Sequence, residues 1–67
     1  MKNTIKVQRA IMDYTQEDLA NKVGVSRQTI NSIEKNRYVP STVLSLKIAS
    51  IFNKSVNEIF ELEVTDW

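Results

Sequence analysis

Four polar side chains, Arg27, Gln28, Asn31 and Ser32, are interleaved with Ile30 and Ile33 in the run SRQTINSIE, Ser26 to Glu34. The chemistry open to them is recognition through paired hydrogen bonds. A guanidinium fork matches the acceptor edge of guanine and a carboxamide matches the donor and acceptor edge of adenine, each good pair supplying about 1–3 kcal/mol of discrimination. Bond-making chemistry has much poorer material. The chain has no cysteine and no histidine, hence no thiolate or imidazole ligands for zinc, no disulfide framework and not the commonest general base near neutral pH. Asp13, Glu17 and Asp18 are the only clustered acids, and they read as charges attracted to the start of a helix. No enzyme, metal or cofactor is expected. Taken singly, each of the four polar residues is an ordinary solvated helix position; their meaning depends on what holds them.

The elements that must hold them can be marked by start and stop signals. Asn3 or Thr4 can cap a first helix running to about Met12, although Ile5, Val7, Ala10, Ile11 and Met12 share no clean face. Thr15 and Asp18 form a capping box with the shorter acid, opening a second helix over Gln16 to Val23 with Leu19, Ala20 and Val23 inward. Ser26 caps a third helix, whose Ile30 and Ile33 lie on one face. Asn36 is expected to end it in a left-handed conformation, and Arg37 to Pro40 is a connection, since Pro40 biases Val39 toward extended geometry. Ser41 caps a fourth helix with Leu44, Ile48, Ile51 and Phe52 on its apolar face. Ser55 and Glu58 form an S-x-x-E box for a short fifth helix carrying Val56, Ile59 and Phe60. The alternation Leu62-Glu63-Val64-Thr65 predicts a short strand, paired with residues 1 to 5 or with a second subunit.

Between the second and third helices there is almost no loop. Gly24, the only glycine, falls where so sharp a turn commonly needs a left-handed residue, a conformation that costs a residue with Cβ roughly 1–2 kcal/mol. Ala20, with one of the smallest side chains, then lets the third helix come close.

TQEDLANKVGVSRQTINSIE resembles the helix-turn-helix of phage repressor and Cro-type transcriptional regulators, with Gln16 opening the motif and Ala20, Gly24, Ile30 and Ile33 at its packing positions. The resemblance runs from about Ile5 to Phe60 and includes the Tyr-x-Pro-Ser connection and the terminal Glu-Ile-Phe. It implies an all-α fold: a compact five-helix, repressor-like domain over 1–67, with the helix-turn-helix at 16–35 and a tail at 61–67, to which the alternation of the tail would add a short terminal β-strand pair. Gln8 stands where leucine is usual, and Ile11 and Met12 are more apolar than is common there, so the first helix is expected to pack differently. Asn36 replaces the usual glycine, and asparagine also enters the left-handed region.

The resemblance also implies roles. The third helix enters the major groove, with Arg27, Gln28 and Ser32 at base edges, Asn31 at a base edge or the adjoining wall, and Ser26 and Thr29 at the walls. Gln16 meets a phosphate at a helix N-terminus, Lys35, Asn36 and Arg37 clamp the other side, and Lys6 and Tyr38 are lesser contacts. Lys22, Lys47 and Lys54 are solubilising charge. Arg9 and Glu34 fall where such proteins pair an arginine of the first helix with a glutamate ending the third, which makes them scaffold.

Charge is divided along the chain. Residues 1 to 54 carry all nine basic groups against Asp13, Glu17, Asp18 and Glu34, a balance of +5; residues 55 to 67 carry four acids and no base, a balance of −4. A basic body facing an anion with the acidic tail turned away fits this division, and so does scattered solvated charge. The longest apolar run is Ala10-Ile11-Met12, and MKNTIKVQ has no apolar segment of a leader, so a soluble cytoplasmic protein without membrane attachment is expected. One motif this small covers few base pairs, so a homodimer on palindromic double-stranded DNA is expected. Val56, Ile59, Phe60, Leu62, Val64 and Trp67 are candidates for its interface or, in part, for the core. The expected function is operator binding as a repressor, with no small-molecule ligand evident; an antitoxin or other protein-interaction module on the same fold is the alternative.

Overall fold

The computed structural model describes residues 1–67. In chain order it contains β1 (Lys2–Asn3), α1 (Ile5–Met12), α2 (Gln16–Val23), α3 (Arg27–Glu34), α4 (Thr42–Ile51), α5 (Val56–Ile59) and β2 (Phe60–Glu61), followed by a 3₁₀ turn at Val64–Asp66. β1 and β2 pair antiparallel, Lys2 opposite Glu61 and Asn3 opposite Phe60, which joins the two ends of the chain.

The helix starts follow from short polar side chains that satisfy otherwise unpaired amides. Thr15 Oγ1 accepts from the Asp18 amide at 3.0 Å while the Asp18 carboxylate accepts from the Thr15 amide at 3.0 Å, a complete capping box. Ser26 and Ser41 accept from the amides of Thr29 and Leu44. At α5 the Glu58 carboxylate accepts from the Ser55 amide at 3.1 Å. These backbone hydrogen bonds hold the Asp18 and Glu58 carboxyls below the usual carboxylate range.

The helix ends share one device. Asp13 (φ 58°), Gly24 (φ 77°), Asn36 (φ 59°) and Asn53 (φ 54°) all lie in the left-handed region just beyond α1, α2, α3 and α4. Three of the four are Asp or Asn, which tolerate that region better than other residues with a side chain. A Cβ built on Gly24 would meet no atom within 4 Å, so the glycine answers the backbone angle rather than a close approach.

The core consists of Ile5, Leu19, Ala20, Val23, Ile30, Ile33, Leu44, Ile48, Ala49, Phe52, Ile59 and Phe60. α2 packs on both α3 and α4, and Ala20 is 1% exposed at that junction. Of the anticipated face of α4, Ile51 is only half-buried. α1 buries Ile5 alone, leaving Val7, Ile11 and Met12 exposed, in keeping with its irregular pattern.

The tail departs from the expected strand. Pairing falls on Phe60–Glu61, and Leu62–Thr65 is not part of it. The Met1 amino group lies 3.2 Å from Glu63 and 3.0 Å from Asp66, and the Glu63 amide donates to Asp66 at 2.7 Å, so Glu63 of the alternating run and the Asp66 that follows it close a turn. Ile59 and Phe60, considered for an interface, are core side chains at 1% and 6% exposure, and Val56 is half-buried against them. No helix is long and apolar enough to cross a membrane.

Candidate nucleic-acid interface

α3 is pinned from below and open above. Ile30 and Ile33 are 0% and 1% exposed, anchoring one side of the helix in the core. Arg27, Gln28, Asn31 and Lys35 line a single polar recess on the opposite side. The spacing explains this grouping: 27, 31 and 35 follow one another at four-residue steps up the helix, and 28 lies beside them. Arg27, Gln28 and Lys35 are exposed, while Asn31 and the neighbouring Ser32 are half-buried. The arrangement offers a guanidinium, two carboxamides and an ammonium from one rigid surface.

The side chains of Arg9, Gln16 and Asn3 fix the attitude of this helix. Glu34, at its end, accepts from Arg9 Nε at 2.7 Å and from Arg9 Nη2 at 3.1 Å. Arg9 also donates through Nη1 to the Tyr14 carbonyl at 3.0 Å, which ties α1, the α1–α2 turn and α3 together. The hydrogen bonds that Arg9 donates to Glu34 raise its already high pKa. Gln16 Nε2 donates to Asn31 Oδ1 at 3.2 Å and to Glu34 Oε1 at 3.3 Å, bracing α2 against α3. Asn3 Nδ2 donates to the Ile33 carbonyl at 2.9 Å and to Asn36 Oδ1 at 3.3 Å, closing the helix end from the terminal strand.

Several expected contact residues are therefore already engaged. The Gln16 side chain points its amide into the α2–α3 junction, and the first turn of α2 carries Glu17 and the capping Asp18, which work against a phosphate there. Ser26 and Thr29 are hydrogen-bonded to each other at 2.9 Å as part of the α3 cap. Lys6, Lys35, Arg37 and Tyr38 are exposed, and Asn36 is exposed with its side-chain oxygen taken by Asn3. Lys22, read as plain solubilising charge, lies 4.9 Å from the centre of the Tyr14 ring, and that ring packs at 6.5 Å from Phe52. The roles of Asn3 and Gln16 as braces have no local signal in the sequence, because their partners lie 30 and 15 residues away.

The chain matches the family described as helix-turn-helix over residues 5–59. It is 54% identical over 63 residues to an HTH-type transcriptional regulator of Methanocaldococcus jannaschii, covering 94% of this chain and 96% of the relative. It is 49% identical over 63 residues to an HTH-type transcriptional regulator of Bacillus subtilis, with the same coverage of 94% and 96%. A protein of the ImmF control region of Bacillus phage phi105 is 33% identical over 60 residues, covering 90% of this chain and 67% of that protein.

Proposed function

The chain belongs to the helix-turn-helix family of DNA-binding, non-enzymatic transcriptional regulators, and from that membership we propose that it recognises a specific operator through the exposed face of α3. The observation that carries the reading is the recess formed by Arg27, Gln28, Asn31 and Lys35 over a helix whose other side is fixed by Ile30 and Ile33. Arg27 and Gln28 meet base edges, with Asn31 and Ser32 beside them. Lys35, Arg37, Lys6 and Tyr38 contact phosphates, and Ser26, Thr29 and Asn36 border the groove. Residues 1–67 would act as one DNA-binding domain, with the motif at 16–35 and the tail at 61–67.

A repressor role is supported by kinship with a phage control-region protein. Binding as a homodimer on a palindromic site follows from size: the longest dimension is 32 Å, which covers one half-site, while two half-sites lie roughly 34 Å apart. The exposed apolar side chains Leu62, Val64 and Trp67 are the surface offered to the second copy.

Selection of bound duplexes from a random pool tests this. A palindromic consensus is the expected result, with affinity falling steeply as salt rises. A folded protein that enriches no sequence would sink the proposal and favour a protein-interaction module. Replacing Arg27 and Gln28 with alanine separates the two readings, since DNA binding is lost and any protein partnership survives.

A further inference from the structure

The hydrogen-bond chain running from α1 to the surface of α3 consists of groups with fixed polarity at one end. Arg9 can only donate, so the Glu34 oxygens facing it accept. A carboxylate offers no hydrogen in return, so the Gln16 amide atom 3.3 Å from Glu34 Oε1 must be the nitrogen. That same nitrogen lies 3.2 Å from Asn31, and the Asn31 atom it meets must therefore be the oxygen. With Oδ1 held inward, the Asn31 NH₂ group is the part left for the recess shared with Arg27, Gln28 and Lys35.

We infer that Gln16 is a positioning residue which locks the Asn31 carboxamide with its donors outward, making the Arg27–Asn31–Lys35 stripe selective for hydrogen-bond acceptors. This rests on the DNA-reading role proposed for α3 and deepens it. An asparagine free to turn pairs with adenine by donating and accepting together. A locked one offers two hydrogens and suits the adjacent O6 and N7 acceptors of guanine, or two oxygens of a backbone phosphate. Arg27 and Lys35, which flank Asn31 one helical turn to either side, are also donors only. The stripe thus presents donors throughout, and Gln28, beside it in the recess, is the one side chain there with an acceptor to spare.

The test compares binding-site selection for the full chain, Asn31→Ala and Gln16→Met, the last keeping length without the amide. If the acceptors are on a base, Asn31→Ala erases preference at one base pair, where the unaltered chain favours guanine over adenine by about fivefold or more. Gln16→Met then lowers that preference below about twofold without changing the pairs read by Arg27 and Gln28, and 7-deazaguanine at that position weakens binding. If the acceptors are on a phosphate, both variants weaken binding to all sites alike, and one methylphosphonate substitution reproduces the loss. Adenine at the pair erased by Asn31→Ala, or Gln16→Met matching the unaltered chain in both preference and affinity, would overturn the inference. A DNA-free readout separates its failure from that of the broader reading: the Gln16 side-chain amide hydrogens should exchange more slowly than those of exposed Gln28, and Asn31→Ala should remove part of that protection. Enriched sites with no such protection defeat the lock alone. Protection with no enriched site defeats the DNA reading and the inference with it.

Discussion

Arg9 and Glu34, 25 residues apart in sequence, face each other through two parallel hydrogen bonds of 2.7 and 3.1 Å, with side chains only 15% and 8% exposed. The pair is two-pronged, a geometry that lysine cannot reproduce with its single ammonium. Removing either partner leaves a charge largely out of water beside Gln16 and the Tyr14 carbonyl. Arg9→Ala and Glu34→Ala should each cost about 2–3 kcal/mol in urea unfolding, and Arg9→Lys should recover less than half of that. A double-mutant cycle that returns no coupling between the two positions would show that the fork contributes nothing beyond its two ends.

The turn at Gly24 allows a sharper separation of causes. Its φ of 77° disfavours residues with a side chain, yet the space around it is open. Gly24→Ala should therefore cost about 1–2 kcal/mol through backbone strain alone. Gly24→Asn should cost less, because asparagine already holds the same conformation at Asn36 and Asn53. Equal losses for alanine and asparagine would mean that something other than φ selects glycine here. The two variants are best compared by the midpoint of chemical denaturation at constant slope.

What could be read from the sequence was whatever is settled within three or four residues. Thr15 with Asp18, Ser26, Ser41 and the Ser55–Glu58 pair announce helix starts because the capping partner lies one turn ahead. Gly24 and Asn36 announce left-handed ends for the same local reason. The Arg9–Glu34 pair was legible only through resemblance, since no local rule links residues so far apart. The sequence suggests Gln16 as a phosphate contact opening α2 and Asn3 as a cap for α1, and it gives no sign that both also reach across to α3. The tail misled because Leu62-Glu63-Val64-Thr65 alternates like a strand, while the Met1 amino group gathers Glu63 and Asp66 into a turn. Periodicity cannot report a contact with the opposite end of the chain.

The capping carboxylates give the protein a defined response to acid. Asp18 and Glu58 are held below the usual carboxylate range by hydrogen bonds from the amides of Thr15 and Ser55. A depressed folded value means that the unfolded chain binds more protons in this window, so stability rises with pH there. Their contribution is complete above the ordinary carboxylate value, about 4, and is lost as pH falls through the lowered folded values. Denaturation midpoints should drop as pH falls below about 4, and Asp18→Asn with Glu58→Gln should flatten that drop. A double variant that keeps the full acid sensitivity would move its origin elsewhere.

Phosphate and base contacts should differ in how they respond to salt. Lys35 and Arg37 follow α3 and are exposed, so Lys35→Ala and Arg37→Ala should leave stability within about 0.5 kcal/mol. Each should weaken DNA binding at every sequence and lower the slope of log affinity against log salt by about 1. Arg27→Ala should instead cost about 1–3 kcal/mol at the preferred site and relax the preference at one base pair. A lysine variant that changes sequence preference with no change of slope would exchange the two roles.

The terminal apolar residues divide between core and surface, and the division should appear in two different measurements. Ile59 and Phe60 are buried, so Ile59→Ala and Phe60→Ala should lower the stability of the folded chain by about 2–5 kcal/mol through lost contacts and the cavity left behind. Val64 and Trp67 are 90% and 93% exposed, so Val64→Ser and Trp67→Ser should leave stability nearly unchanged. If these exposed side chains meet a second copy, the same variants should shift sedimentation toward monomer at micromolar concentration and weaken binding to a two-half-site duplex more than to a single half-site. A dimer that persists when both are serine would place the contact elsewhere, and the apolar side chains Val7 and Ile11 of α1 are the next surface to alter.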